Sequence, residues 1–148
     1  MGSYLYEAIL RMYMDVTLIQ CTASKRDETA PAKDLYDKSP YFCKMREWAI
    51  ARACPWYILS AKTQLVAPER VLEPYDERGL SDYQAGEIAD QLERKDVDTV
   101  HICAGRDYTD PLIPELERRG IDVIEHFSGE RIGARMKLLK ERTRELNA

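Results

Sequence analysis

Four short runs of aliphatic, β-branched and aromatic residues stand out along the chain: Val16 to Cys21, Trp56 to Leu59, Thr99 to Cys103 and Val123 to Phe127. Runs this short and this continuously apolar read as strands covered on both faces. Between and after them the apolar positions change to helical spacing. Tyr41, Met45, Trp48 and Ala49 follow Ser39-Pro40, an N-cap with proline at the first helical position. Ser81 caps a second helix, whose apolar stripe is Ala85, Ile88, Ala89 and Leu92. Asp110-Pro111 opens a third, which Gly120 closes. A last helix sets Ile132, Met136, Leu139 and Leu146 on one side and charge on the other.

Strand and helix therefore alternate four times. That order predicts an α/β fold: a single three-layer domain, with a mainly parallel sheet of about four to five strands flanked by helices. Residues 1–13 differ in pattern and read as an N-terminal extension, either a short helix over Tyr4 to Tyr13 or an upstream segment. Met14 opens the first strand, and residues 14–148 read as the domain. Two connections are long and polar, Thr22 to Lys38 and Ser60 to Leu80. Loops of that length in a compact domain often carry function.

Composition narrows the picture. The 148 residues suit one domain, and 45% hydrophobic with 32% charged is ordinary for a globular chain. The formal charge of -4 argues against wholesale wrapping of nucleic acid, while leaving room for a local basic pocket. No apolar run approaches the roughly 20 residues that span a bilayer. The start of the chain lacks a signal-peptide pattern, so a cytoplasmic location without membrane contact is expected. Cys21, Cys43, Cys54 and Cys103 form no C-x-x-C pair, and His101 and His126 fall inside predicted strands. Neither a disulfide framework nor a metal site is expected, and no cofactor is implied.

Open α/β sheets bind ligands beyond the carboxyl ends of their strands. The first predicted strand leaves through Cys21-Thr22-Ala23-Ser24-Lys25-Arg26 and the second through Ser60-Ala61-Lys62. The third leaves through Ala104-Gly105-Arg106-Asp107-Tyr108 and the fourth through Ser128-Gly129-Glu130-Arg131. Each exit has a small residue followed by a cation. Small residues let backbone amides approach a ligand, and the cations favour an anionic or electron-rich group. The exits together predict a positive cleft.

Arg131 and Arg135 lie one helical turn apart, so an anion between them is expected to compete with simple pairing to Glu130 or Asp107. Lys62 follows an apolar strand, where desolvation would make it a nucleophile or base; an ion-paired lysine is the alternative. Lys25 carries the same ambiguity. Cys21 reads as a small buried hydrophobe or, next to Lys25, as a thiolate. In Pro74-Tyr75-Asp76, Tyr75 is a candidate for stacking on a ring and Asp76 for proton transfer, against a plain proline turn.

The series Cys-Thr-Ala-Ser-Lys-Arg at 21–26, Ala32-Lys33-Asp34-Leu35-Tyr36, Ile58 to Lys62, Pro68 to Asp76, Ala104 to Tyr108 and Gly129 to Gly133 resembles an uncharacterised family of small archaeal, bacterial and phage domains. That family is distantly similar to the YaaA peroxide-stress proteins and to the lyase/transferase region of archaeosine synthase. The resemblance covers nearly all of residues 15–140. It implies a ligand that is a nucleotide, a nucleobase or nucleic acid. It departs at Thr63-Gln64, where relatives carry an aromatic or small residue and then glycine. The helix-hairpin-helix insertion of YaaA and the RNA-binding domains of the archaeosine enzyme have no counterpart in these residues.

Three functions follow as expectations. The first is an enzyme acting on a nucleobase, nucleotide or modified base in nucleic acid. In it, Ser24, Lys25, Arg106 and Arg131 hold the anionic part, Tyr75 or Tyr108 stacks, and Lys62 or Asp76 is nucleophile or acid/base. Cys21, Tyr36, Ser60, Gly105 and Arg135 complete its ligand contacts. The second is a non-catalytic DNA-binding protein of stress protection. The third is a nucleotide or metabolite sensor using the same cleft.

Overall fold

A computed structural model describes residues 14–148; the expectations placed on residues 1–13 lie outside the described residues. The elements are β1 (Asp15–Gln20), β2 (Ala30–Pro31), α1 (Ala32–Leu35), α2 (Pro40–Ala51), β3 (Trp56–Ser60), β4 (Gln64–Val66), β5 (Val71–Leu72), α3 (Asp82–Arg94), β6 (Thr99–Cys103), α4 (Arg106–Arg118), β7 (Asp122–Glu125) and α5 (Ile132–Leu146).

One sheet runs β4-β3-β1-β6-β7. β1 pairs in parallel with β3 and β6, β6 pairs in parallel with β7, and β4 is an antiparallel edge folded back on β3. The domain is therefore a single α/β unit with a mostly parallel sheet, as the alternation predicts. Val16 and Leu18 point to one face of β1 and Thr17 and Ile19 to the other, and all four are buried. Helices cover both faces: α2 packs with α5, and α3 with α4.

The chain winds outward in two directions. From β1 it crosses through α2 to β3, and from β6 through α4 to β7. Right-handed crossovers in opposite directions must use opposite faces. The connections leaving the neighbouring strands β1 and β6 thus part company, and a crevice opens between their carboxyl ends.

Local sequence sets the helix ends. Ser39 Oγ accepts from Phe42 N at 3.2 Å, with Pro40 at the first position. Ser81 and Gln84 exchange side-chain bonds to each other's backbone amides in a capping box. Gly120, at φ +75°, closes α4. That helix begins at Arg106, one turn before the expected Asp110-Pro111 start. Pro111 is tolerated inside it because the Asp107 carbonyl, deprived of its i+4 amide, accepts from Leu80 N at 3.0 Å. The expected face of α5 is also displaced. Ile132 is 58% and Leu146 41% exposed, while Leu139 and Arg135 are buried. The expected strand to Phe127 stops at Glu125, since Phe127 has φ +62°.

The two long connections are not structureless. Ala30 pairs with Leu72 and Pro31 with Val71 in a two-residue antiparallel ladder. Ala32 N and Lys33 N extend the join to the carbonyls of Arg70 (2.7 Å) and Pro68 (2.9 Å). The loops are stitched together over the sheet, and this brings Tyr36 beside Tyr75.

Candidate functional site

At the β1–β6 crevice the central strand ends in Gln20 and Cys21. Gln20 Oε1 accepts from Gly105 N, the N-cap of α4, at 2.6 Å, and Gln20 Nε2 donates to the Cys21 carbonyl at 3.1 Å. Two backbone bonds thus hold the Gln20 amide rigid. One amide hydrogen and one carbonyl lone pair are left over. The Cys21 thiol lies 3.0 Å from the Tyr108 hydroxyl. Gln20, Cys21 and Tyr108 line a cavity of about 160 Å³, with Glu77, Arg78 and Arg106 around it.

Behind this wall stands a buried hydroxyl network. Tyr36 and Tyr75 hydroxyls are 2.6 Å apart, and Ser60 Oγ donates to the Tyr75 hydroxyl at 2.8 Å. Ser60 Oγ in turn accepts from the amides of Lys62 (3.3 Å) and Thr63 (3.0 Å), which fixes the turn into β4. Burial pushes the Tyr36 phenol up to about 12. Burial, then the Cys21 thiol and the Tyr36 hydroxyl, push Tyr75 higher still. Burial and Cys21 raise Tyr108 as well. All three phenols are protonated at neutral pH, and the Tyr75 hydroxyl accepts from Ser60 Oγ.

Lys25 sits over this network. Its Nζ is 4.5 Å from the centre of the Tyr75 ring and 5.8 Å from that of Tyr36, and it donates to the Ala23 carbonyl at 3.4 Å. Among the described residues no carboxylate lies within ion-pair distance of it. Partial burial lowers its pKa, with Cys21 and Asp76 pulling the other way. Lys25 faces a cavity of about 350 Å³ that Asp76 also lines.

Several sequence expectations meet a different geometry. Of the two lysines expected to be desolvated, Lys62 is exposed and Lys25 is partly buried. Tyr75 and Tyr36 are 8% and 0% exposed, and the open face of Tyr75 is covered by Lys25 rather than free to stack. Ser60 and Tyr36 are positioning residues, since neither reaches solvent. Ser24, Asp76, Arg106 and Arg131 are exposed, and of these only Asp76 and Arg106 line a cavity of the site.

Arg131 and Arg135 do not share a face. Arg131 is the extended N-cap of α5, outside helical geometry, while Arg135 points inward and binds the carbonyls of Glu130 (2.9 Å) and Ala104 (3.0 Å). Nor is the crevice positive: Arg78 and Arg106 are matched by Glu77 and Asp107, and Arg26 is paired with Asp37.

Gln20, Glu77, Arg78 and Gly79 were not singled out by sequence reasoning. Gln20 had one visible signal, a polar residue closing an apolar strand at its carboxyl end. The 77–79 segment had none, because its place depends on the Leu80–Asp107 bond.

The scan of family models matches residues 16–141 to a family of unknown function, DUF6884. The chain belongs to that family. No curated protein and no solved structure matches it. The membership agrees with the resemblance to an uncharacterised family; it shows no link to the YaaA proteins or to archaeosine synthase. No helix among the described residues is long and apolar enough to cross a membrane.

Proposed function

We propose that this DUF6884 domain is an enzyme acting on a nucleobase, free or within a nucleotide or nucleic acid, bound in the β1–β6 crevice. The observation that carries the reading is Lys25. It has a lowered pKa, no carboxylate partner among the described residues, and a seat over Tyr75 and Tyr36 at the mouth of a separate open cavity, near enough to the crevice for Cys21, Glu77 and Arg78 to act on its charge. A lysine so placed supplies an unprotonated amine more readily than an ordinary one, as nucleophile or base. Exposed Asp76 is available to exchange its proton.

The rest of the crevice suits a polar ring. Gln20 offers a donor and an acceptor, the pairing with which glutamine reads a base edge. Cys21 and Tyr108 present a thiol and a hydroxyl beside it. Matched charges around the cavity favour a neutral, hydrogen-bonding group over a polyphosphate. With the net charge of -4, they count against a role as a simple DNA-binding protein. A nucleotide sensor would use the same contacts without turnover.

A thermal-shift and NMR screen with nucleobases, nucleosides, nucleotides, short RNA and short DNA tests the reading. The expected result is a nucleobase-bearing ligand that perturbs Gln20, Cys21 and Gly105, and turnover of that ligand that Lys25→Met abolishes while the fold remains. Binding with full turnover in Lys25→Met removes the lysine from the chemistry. Binding without turnover in the wild type identifies a sensor. Salt-steep binding to DNA alone, indifferent to Gln20, favours the stress-protection role implied by the YaaA resemblance.

A further inference from the structure

A third cavity, of about 580 Å³, lies on the far side of Arg106, between the first turns of α4, the end of β7 and the 128–130 turn. Arg135 lines it and is only 8% exposed. Its Nε donates to the Glu130 carbonyl at 2.9 Å. One Nη1 serves the Ala104 carbonyl at 3.0 Å and the Tyr41 hydroxyl at 3.3 Å. Every one of these acceptors is neutral. Among the described residues no carboxylate comes within 4.0 Å of the guanidinium.

A buried cation without a counter-charge is costly, and proteins ordinarily pair it. The remaining nitrogen, Nη2, has no partner among the described residues. Yet the one buried side-chain nitrogen or oxygen left unsatisfied there is Trp48 Nε1. Arg135 Nη2 therefore keeps some accessible surface, and Arg135 is one of the residues that line this cavity.

The surroundings select among anions. Asp110, Glu125 and Glu130 also line the cavity, all exposed at its edge, and Arg106 is the one other cation. A phosphate monoester, close to doubly charged at neutral pH, meets three like charges there. A carboxylate meets the same three but brings only a single charge, so it is repelled less, and it has the planar shape a guanidinium prefers. The cavity is larger than a carboxylate, and Ile113 and Pro114 give it an apolar side.

We propose that this cavity is a subsite for a small organic monocarboxylate, with its carboxylate on Arg135 Nη2 and its carbon body against Ile113 and Pro114. The inference rests on Arg135 and the cavity alone and stands apart from the reading of the crevice.

The test compares butyrate, butyramide and inorganic phosphate at constant ionic strength, followed by amide NMR and by the Arg135 Nε resonance. Butyrate should give saturable shifts at Gly129, Glu130 and Arg135, butyramide should give none, and phosphate should bind about tenfold more weakly. Arg135→Gln should lose butyrate binding. Because that variant also loses structural bonds, Glu125→Gln combined with Glu130→Gln is the second arm, and it should bring phosphate up to the affinity of butyrate. Equal binding of butyramide and butyrate, phosphate binding above butyrate in the wild type, or shifts elsewhere on the surface would each overturn the proposal.

Discussion

The main-chain amide of Leu80 donates to the carbonyl of Asp107 at 3.0 Å, in the place that Pro111 vacates inside α4. A proline in a helix interior normally destabilises it. Here the freed acceptor becomes the anchor of the 77–80 segment, which carries Glu77 and Arg78 to the rim of the crevice.

Gly79 makes that anchor possible. It has φ +74°, and an added Cβ would lie 3.2 Å from Asp107 Cβ. Gly79→Ala therefore combines a strained backbone with a tight contact against α4. We expect a loss of about 1–3 kcal/mol, read as a fall in Tm of several degrees, and shifted NMR signals for Glu77 and Arg78. An unchanged Tm would mean that the segment relaxes freely.

Gln64 offers the opposite change. It opens β4 at φ +71°, a left-handed backbone that favours glycine. Gln64→Gly should relieve the strain and raise stability by up to about 1 kcal/mol, less whatever the more flexible unfolded chain takes back. A urea titration checks it: the midpoint rises with an unchanged slope.

Tyr75→Phe keeps the ring under Lys25 and removes only the hydroxyl. Ser60 Oγ and the Tyr36 hydroxyl then lose a buried partner at 2.8 and 2.6 Å. The expected cost is about 1–3 kcal/mol in urea denaturation, because unsatisfied buried groups are penalised in full. A loss below about 0.5 kcal/mol would show that the network adds little beyond packing.

The strands and their order of use were legible in the sequence because each is a short apolar run in an alternating pattern. Ser39, Ser81 and Gly120 marked helix ends correctly, since capping is a local matter. Lys62 misled because an apolar strand end does not itself bury the next residue; the Ser60 turn directs that side chain outward. Lys25 gained its environment from Tyr36 and Tyr75, which reach it only through the pairing of Ala30 with Leu72. A two-residue ladder between distant loops leaves no periodic trace. Arg135 defeated the pattern on α5 for a related reason: it takes an inward position that the apolar stripe assigned to Ile132.

Acid should reveal a partly buried histidine pair. His101 Nδ1 is 3.0 Å from His126 Nε2, and His101 Nε2 is 3.2 Å from Asp15 Oδ2. Burial lowers both histidines, His126 to about 4, with His101, Arg52 and Arg142 adding to the shift at His126. Asp15 opposes it at His101. The unfolded chain, with histidines near 6.5, then takes up protons first. Stability is complete above about 6.5 and declines as pH falls toward 4. His126→Phe should flatten the fall in Tm across that window. A wild-type Tm that is level from neutral pH to about 5 would contradict the neutral pair.

The ladder that joins the two long loops has a kinetic consequence. Neither loop can swing away alone, since Ala30–Leu72 and Pro31–Val71 tie them at the edge of the site. A ligand too bulky to slip past the rim has to raise both at once, which separates Tyr36 from Tyr75 and strips Lys25 of its aromatic support. Entry of large substrates and loss of the lysine's special environment are then one cooperative event. Under the proposed function, only a ligand that lets the loops settle back would meet Lys25 in the environment that lowers its pKa.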